Sequence, residues 1–322
     1  MTWDPTPWFV GGGAQHSPEV ARLLAYASTG AAEGIVTPGD LRVVQQDVAG
    51  SSIRVLAGAA LILNRAAGGT QQTYVARNIS EDVKGISATG SGAGRSDLVV
   101  AEIRDPFMPG TSFDDPPDPT KGQYIFTTIV PNVSPTTTKP PAGMSGIALA
   151  RIDLPANTAK VTTSMIKDLR KLAQPRSERA MYSTNAAAVA EQLTAKAAWV
   201  DFPRVQMQVE VPEWATFAEM RVNIAGLGQF GPRADARLRG HIGTSQVSGD
   251  LYLDADTWYD GMRHSTIITT SGYLNQADRG KVVTLKVMGI RAAADDGVHT
   301  GLYGVDGLTH VGYDVQFSER AV

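Results

Sequence analysis

The clearest pattern in the chain is an alternation of apolar and polar residues in its C-terminal third. Apolar residues recur at every second position in five short segments, 205–211, 220–224, 236–242, 283–287 and 311–317. In the third segment the alternating polar residues are Asp235, Arg237, Arg239 and His241. A period of two is typical of strands with one buried face. Its repetition at short spacing predicts an antiparallel, jelly-roll-like β-sandwich over residues 201–322.

A second β-rich region covers residues 34–174, so the predicted fold class is mainly β. Segments 97–103 and 147–152 are apolar on both faces, which is typical of central strands. Residues 124–130 are rich in aromatic and β-branched side chains, which favour a strand. The segment that follows, 131–141, is rich in proline and is interpreted as a loop, because proline cannot donate to a ladder.

Residues 1–33 are predicted to form an arm and a short helix. Ser17 is a candidate N-cap, Pro18 occupies the first helical position, and Gly30 is a candidate stop signal. The arm before this helix is aromatic and ends in three glycines. Its candidate assembly contacts are Trp3, Trp8 and Phe9. We interpret the arm as a docking segment, because tryptophans in a tail need a partner surface.

Two further helices are predicted around the domain boundary at 174–175. Residues 162–172 are expected to form a short helix that closes the first β-rich domain. Residues 175–200 are expected to form a linker whose alanine-rich part, 183–199, is helical by propensity. Val189 and Leu193 lie on its thin apolar stripe. This helix either packs against copies of itself in an oligomer or lies on one domain as a spacer.

Composition excludes several classes of protein. The 322-residue chain has 29 Lys and Arg against 32 Asp and Glu, a net charge of −3, which argues against nucleic acid as the main partner. It has no cysteine, so disulfides, thiol nucleophiles and cysteine-ligated zinc are excluded. Neither a signal peptide nor a span of about 20 apolar residues is present, so no membrane insertion is expected.

No motif indicates an enzyme, a cofactor or a metal site. The segment 226–231 matches G-x-G-x-x-G, but strand-like alternation follows it where a dinucleotide fold requires a helix. The five histidines lack metal-ligand spacing. One patch has the chemistry of sugar recognition, an aromatic pair beside polar residues. Its members are Trp258, Tyr259 and His264. The alternative interpretation is an end of the sandwich that is packed by aromatic rings.

Five segments in residues 34–172 carry a resemblance to a known family. They are GIVTPGDLRV at 34–43, VLAGAA at 55–60, RSDLVVAEIRDP at 95–106, IALARIDLPA at 147–156 and IKDLR at 166–170. This series resembles minor tail or baseplate proteins of long-tailed phages that infect actinobacteria. The matching motifs are strands and turns in order, so the resemblance implies a virion component and carries over no catalytic residue.

The resemblance implies a protein made in the host cytoplasm, without a signal peptide, and incorporated at the tail tip or baseplate. Its expected partners are other tail proteins and itself, as a homotrimer with the alanine-rich helix as the axial contact. The sandwich is then a candidate receptor-binding domain. An adhesin for host cell-wall glycan is the alternative function, and a glycan-degrading enzyme is the third.

Overall fold

Two compact units make up the protein. A computed structural model describes residues 15–109, 116–185, 190–246, 249–255, 261–291 and 299–322. Contacts between Cα atoms group residues 1–174 with 321–322 as unit 1 and residues 175–320 as unit 2. Within the described residues both units are built mainly from antiparallel strands, so the predicted mainly β class is confirmed.

Unit 1 begins with the predicted helix, α1, which spans Pro18–Thr29. The Ser17 side chain accepts a hydrogen bond from the backbone N–H of Val20, and Gly30 ends the helix in the left-handed conformation at φ 61°. Both end signals are therefore confirmed. Its apolar face is only partly covered, since Leu23 and Leu24 are 41% and 43% exposed.

The strands of unit 1 form three small antiparallel sheets around one main core. They are β1 (Gly34–Ile35), β2 (Val43–Gln45), β3 (Ser52–Val55), β4 (Gly58–Leu63), β5 (Thr73–Asn78), β6 (Asp82–Gly85), β7 (Arg95–Ile103), β8 (Ile125–Val133), β9 (Gly146–Leu154) and β10 (Ile166–Asp168). The sheet orders are β1-β4-β5, β2-β3-β6 and β10-β9-β7-β8. The two strands predicted to be central, β7 and β9, pair with each other and are mostly buried, as their apolar sequences require.

Two predictions in unit 1 are wrong. Strand β8 continues through Pro131, which was assigned to a loop. Strand β8 is at the edge of its sheet and pairs only with β7. An edge strand tolerates proline because one of its two sides has no neighbouring strand to which an N–H must donate. Residues 162–172 do not form a helix, since a single 3₁₀ turn at Thr163–Met165 leads into β10. Pairing of β10 with β9 outweighs the local helix signals.

Unit 2 is an antiparallel sandwich of two sheets. Its strands are β11 (Ser177–Asn185), β12 (Glu191–Gln192), β13 (Val200–Asp201), β14 (Met207–Glu210), β15 (Phe217–Phe230), β16 (Ala234–Ile242), β17 (Ser245–Gln246), β18 (Leu251–Ala255), β19 (Arg263–Tyr273), β20 (Val282–Ile290), β21 (Leu302–Val305) and β22 (His310–Ser318). A 3₁₀ turn spans Gln276–Asp278. One sheet has the order β11-β22-β15-β21-β12 with β19 on β15. The other has the order β13-β20-β16-β17 with β14 on β20 and β18 on β16.

The period-two pattern predicts the buried faces of unit 2. The alternating apolar side chains of β15, β16, β20 and β22 share one core between the sheets. The fully buried Tyr313 also donates a hydrogen bond to the carbonyl of Val205, so its polar end has a partner inside the core. The sandwich prediction is confirmed.

The predicted linker helix is wrong. Residues 177–185 form β11, which pairs with β22 along its whole length, from Ser177 opposite Ser318 to Asn185 opposite His310. Among the described residues of 190–199, the only regular element is the short strand β12. Residues 183–185 of the predicted helix lie in β11, where pairing with β22 outweighs a helix preference of a fraction of a kcal/mol per residue.

Candidate functional site

The predicted sugar-binding patch is described only at His264. Trp258 and Tyr259 lie outside the described residues. His264 lies on β19 and is half-buried, with its Nε2 3.4 Å from the Gln229 side-chain oxygen. Its ring meets the Tyr303 ring edge-on at a centroid distance of 6.0 Å. His264 therefore packs on the sandwich, and both interpretations of the patch stay predictions.

Of the predicted assembly contacts, only Leu193 is described, and the structure corrects it. Trp3, Trp8, Phe9 and Val189 lie outside the described residues. Leu193 is 1% exposed and belongs to the core of the sandwich, where its methyl groups approach Gly289. A side chain that is buried within its own chain is not available to a neighbouring copy.

A buried arginine joins three parts of unit 1. The Arg170 side chain is fully buried, and its guanidinium binds the Asp168 carboxylate at 2.7 Å. It also donates to the backbone carbonyls of Pro38 and Asp40, at 3.2 and 2.7 Å, and of Val322, at 2.9 Å. The IKDLR segment at 166–170 is therefore bound directly to the GIVTPGDLRV segment at 34–43.

Two glycines show how closely the same segments pack. Gly34 and Gly58 have φ of +142° and +158°. A Cβ atom at Gly34 would collide with the carbonyl oxygen of Lys171, and one at Gly58 would lie 2.5 Å from the backbone nitrogen of Leu41. Both positions thus require glycine, for conformation and for space.

An apolar cavity of about 730 Å³ lies between α1 and strand β5. Its apolar lining includes Tyr74, Val75, Ile103, Phe107 and Tyr124. Phe107 is 62% exposed, and its ring centroid is 6.3 Å from that of Tyr124. The cavity has the size and the aromatic lining to receive an apolar group.

The polar groups beside this cavity bind one another. The Tyr74 hydroxyl donates to the Asp105 carboxylate at 2.8 Å, and the Arg22 guanidinium lies over the Tyr74 ring at 5.1 Å. Arg22 also donates to Gln72 at 2.6 Å. Burial, together with the hydrogen bond to Asp105, raises the pKa of Tyr74 well above its usual range, so the phenol stays neutral.

Unit 2 carries a row of basic side chains on the outer face of the β16 sheet. Arg237, Arg239 and His241 alternate on β16 with the buried Leu238 and Gly240. The surface we call the cationic face consists of Arg237, Arg239 and His241, of Lys286 on β20, of Tyr252 on β18, and of Trp199 before β13. Cross-strand register puts Lys286 opposite His241 and Tyr252 opposite Arg237.

Aromatic rings hold the two arginines of the cationic face. The guanidinium carbon of Arg237 is 4.6 Å from the centroid of the Tyr252 ring, and that of Arg239 is 3.9 Å from the Trp199 ring. Within the described parts of the chain neither arginine has an ion pair with a carboxylate. The Nε atoms of both, and Nε2 of His241, are buried without a hydrogen-bond partner there.

The remaining charges near His241 are balanced differently. Lys286 is paired with the Asp201 carboxylate at 2.9 Å. Burial lowers the pKa of His241 below its ordinary value, the Arg239 and Lys286 cations lower it further, and Asp201 opposes them. His241 is therefore neutral at neutral pH, and Arg237 and Arg239 carry positive charge on the face without an ion pair in the described residues; Asp235 precedes them on the same side of β16.

Neither a metal-binding cluster nor a membrane-spanning helix occurs in the described part of the chain. In those residues no group of three or more His, Asp or Glu side chains is arranged to hold a metal ion. No helix there is long and apolar enough to cross a membrane.

Neither the contacts of the buried Arg170 nor the cationic face was predicted from the sequence. A signal for the face was present, because three of the polar positions in the 235–241 alternation are Arg237, Arg239 and His241. Cations at i, i+2 and i+4 of a strand must share its outer face. The aromatic partners had no such signal, since Tyr252 comes from β18 and Trp199 from the residue before β13.

Comparisons with known proteins do not identify a family for this chain. No protein-family model matches the chain, and no curated protein matches it. A solved structure of infectious bursal disease virus, Gt strain, is similar at 8% identity and TM-score 0.23, over 90% of this chain and 76% of that one. The VP2 subviral particle of the same virus is similar at 12% identity and TM-score 0.23, over 89% of this chain and 70% of that one. The mosquito-larvicidal Cry4Aa toxin from Bacillus thuringiensis is similar at 7% identity and TM-score 0.21, over 88% of this chain and 53% of that one. Similarities this weak carry no argument about function.

Proposed function

We propose that the chain is a structural, non-enzymatic virion protein of a phage tail tip or baseplate. The observation that carries this proposal is the convergence of the tail-protein motifs on one another in unit 1. Arg170 of IKDLR binds the carbonyls of Pro38 and Asp40 in GIVTPGDLRV, and the RSDLVVAEIRDP and IALARIDLPA segments pair as β7 and β9.

The contacts among these segments explain why the motifs have charged residues and glycines at particular positions. Asp97 is buried in β7, where its carboxylate binds Arg95 at 2.8 Å and accepts from the backbone N–H of Asn132. Gly34 and Gly58 sit where backbones touch. The motif residues have their partners within unit 1, which supports a module whose role is structural.

The experiment that tests this role is localisation in the intact particle. Particles of the phage whose genome encodes this chain should be labelled with gold-conjugated antibodies raised against the purified full-length protein. We expect label at the distal end of the tail, and no label on particles treated with antibodies pre-absorbed on that protein. Label confined to the head, or absent from purified particles, would contradict the proposal.

We propose further that the protein assembles as a homo-oligomer, a trimer around the tail axis. The predicted axial helix is wrong, so this proposal rests on the tail-protein resemblance and not on residues 183–199. Light scattering of the purified protein is expected to show a species of about three times the 34.1 kDa chain mass. A single 34.1 kDa species over the accessible concentration range would contradict self-assembly outside the particle.

Attachment to host glycan is the second candidate function, and it concerns unit 2. The cationic face favours it, because an exposed tyrosine ring, a half-buried tryptophan ring and two arginines without an ion pair in the described residues are the chemistry of a ligand surface rather than of a solvated strand. The glycan-degrading enzyme remains the third candidate from the sequence, and no further observation favours it.

A further inference from the structure

We propose that the cationic face of unit 2 is a binding site for an anionic polysaccharide, a sugar polymer that carries carboxylate or phosphate groups. The inference rests on the proposed virion function only for the source of the ligand, which would be the envelope of the host. Binding by the isolated protein is a separate property and can be measured separately.

The spacing of the cations suits a polymer with repeated charges. Side chains at i and i+2 of a strand are about 7 Å apart on the same face, so Arg237, Arg239 and His241 form a line of about 13 Å along β16. Lys286 extends the surface sideways to the neighbouring strand. A linear chain with an anion on successive units can contact several of these groups at once.

The two arginines of the cationic face lie against aromatic rings and have no ion pair in the described residues. Stacking on Trp199 and Tyr252 fixes the planes of the two guanidinium groups. Within the described residues, the buried Nε atoms of Arg237 and Arg239 and the buried Nε2 of His241 have no hydrogen-bond partner. Buried polar atoms are normally satisfied, and planar guanidinium groups bind carboxylate and phosphate in a bidentate manner. An anionic ligand would bind the partly exposed ends of the two guanidinium groups.

The same geometry favours a glycan over a single-stranded nucleic acid. Nucleic-acid surfaces use free aromatic faces on which bases stack. Here a guanidinium group covers one face of each ring, at 3.9 Å over Trp199 and 4.6 Å over Tyr252. Met288 lies directly opposite Arg239 on β20 and adds apolar surface between the cations, which suits the C–H groups of a sugar ring. The net charge of −3 also provides no general attraction for a phosphate backbone.

The test is calorimetric titration of the full-length protein with defined polymers. The probes are polygalacturonate, which carries carboxylates, poly(glycerol phosphate), which carries phosphates, neutral dextran, and oligothymidylate. We expect one or both anionic glycan-type polymers to bind and dextran not to bind. The double variant R237Q/R239Q should weaken that binding about tenfold or more, because it removes two charge-assisted contacts.

A matched variant controls for net charge. R179Q/R221Q removes the same two charges from β11 and β15, in the other sheet of the sandwich, and is expected to leave binding within about twofold of wild type. Thermal unfolding of each variant verifies that unit 2 is folded. A site-specific readout is the imidazole NMR signal of His241, whose pKa should rise when an anion binds beside it.

Several outcomes would overturn the inference. They are no binding of either anionic polymer, equal losses in R179Q/R221Q and R237Q/R239Q, or preference for oligothymidylate. Loss of binding in W258A/Y259A with full binding in R237Q/R239Q would move the glycan site to the patch predicted from the sequence. Because none of these readouts involves the particle, a negative result here leaves the tail localisation to be decided by gold labelling.

Discussion

Replacement of Arg170 by methionine is expected to destabilise unit 1 by roughly 3 kcal/mol. Methionine retains an apolar stem but removes every donor of the guanidinium. The Asp40 carbonyl would then lose the donor at 2.7 Å and the Val322 carbonyl the one at 2.9 Å, while the Pro38 carbonyl keeps the N–H of Val322. An acceptor left without a donor costs on the order of 1 kcal/mol or more, and the ion pair with Asp168 is lost as well, which is why the expected effect is large.

Differential scanning calorimetry of the full chain measures this effect, because two compact units can give separate transitions. The transition of unit 1 should move to lower temperature while that of unit 2 stays in place. R104M provides the control, since Arg104 also pairs with a carboxylate, Glu102, but its side chain is 38% exposed. Its expected cost is about 1 kcal/mol or less. Equal shifts in R170M and R104M would show that Arg170 has no special role.

Replacement of Gly34 by alanine is expected to cost unit 1 about 4 kcal/mol or more, enough to prevent it from folding. The added Cβ would collide with the Lys171 carbonyl oxygen and lie 2.9 Å from the Ala173 nitrogen, and both atoms belong to backbone that cannot rotate away. The φ of +142° adds conformational strain for any residue with a Cβ.

Gly39→Ala is the matched control for this substitution. Gly39 belongs to the same motif, a Cβ there would meet no described heavy atom within 4 Å, and its φ is not positive. It should change stability by no more than about 0.5 kcal/mol. Soluble yield and limited proteolysis report the outcome, with degradation of unit 1 expected in Gly34→Ala only. Wild-type stability in Gly34→Ala would mean that β1 can separate from the 171–173 segment without cost.

The sequence predicted an element correctly where the local preference of the segment and its packing in the fold favour the same structure. Helix α1 has its cap residues on either side, Ser17 and Gly30, and needs no information from elsewhere. The alternation in β15 and β22 is set by one shared core, so it appears in each strand separately. The helix prediction for 183–199 failed at residues 183–185 because their partner is β22, more than a hundred residues away, and nothing in the local sequence signals that pairing.

The candidate sites show the same limit. An aromatic pair adjacent in sequence, Trp258 and Tyr259, is easy to find by inspection. Stacks such as Arg239 on Trp199 join residues forty positions apart and depend on the register of β13, β20 and β16. Arg170 lies in a recognisable motif, but its contact with Val322 requires the last residue of the chain to return to unit 1.

That return makes unit 2 an insertion within unit 1. Residues 175–320 leave and re-enter unit 1 at neighbouring points, because Arg176 is paired with Glu319 at 2.7 Å and Ser177 lies opposite Ser318 in the ladder. Closely spaced ends are the property that lets one domain be exchanged for another inside a host fold. The sandwich is therefore built as a cassette, which evolution or a protein engineer can exchange while the motif contacts within unit 1 stay in place.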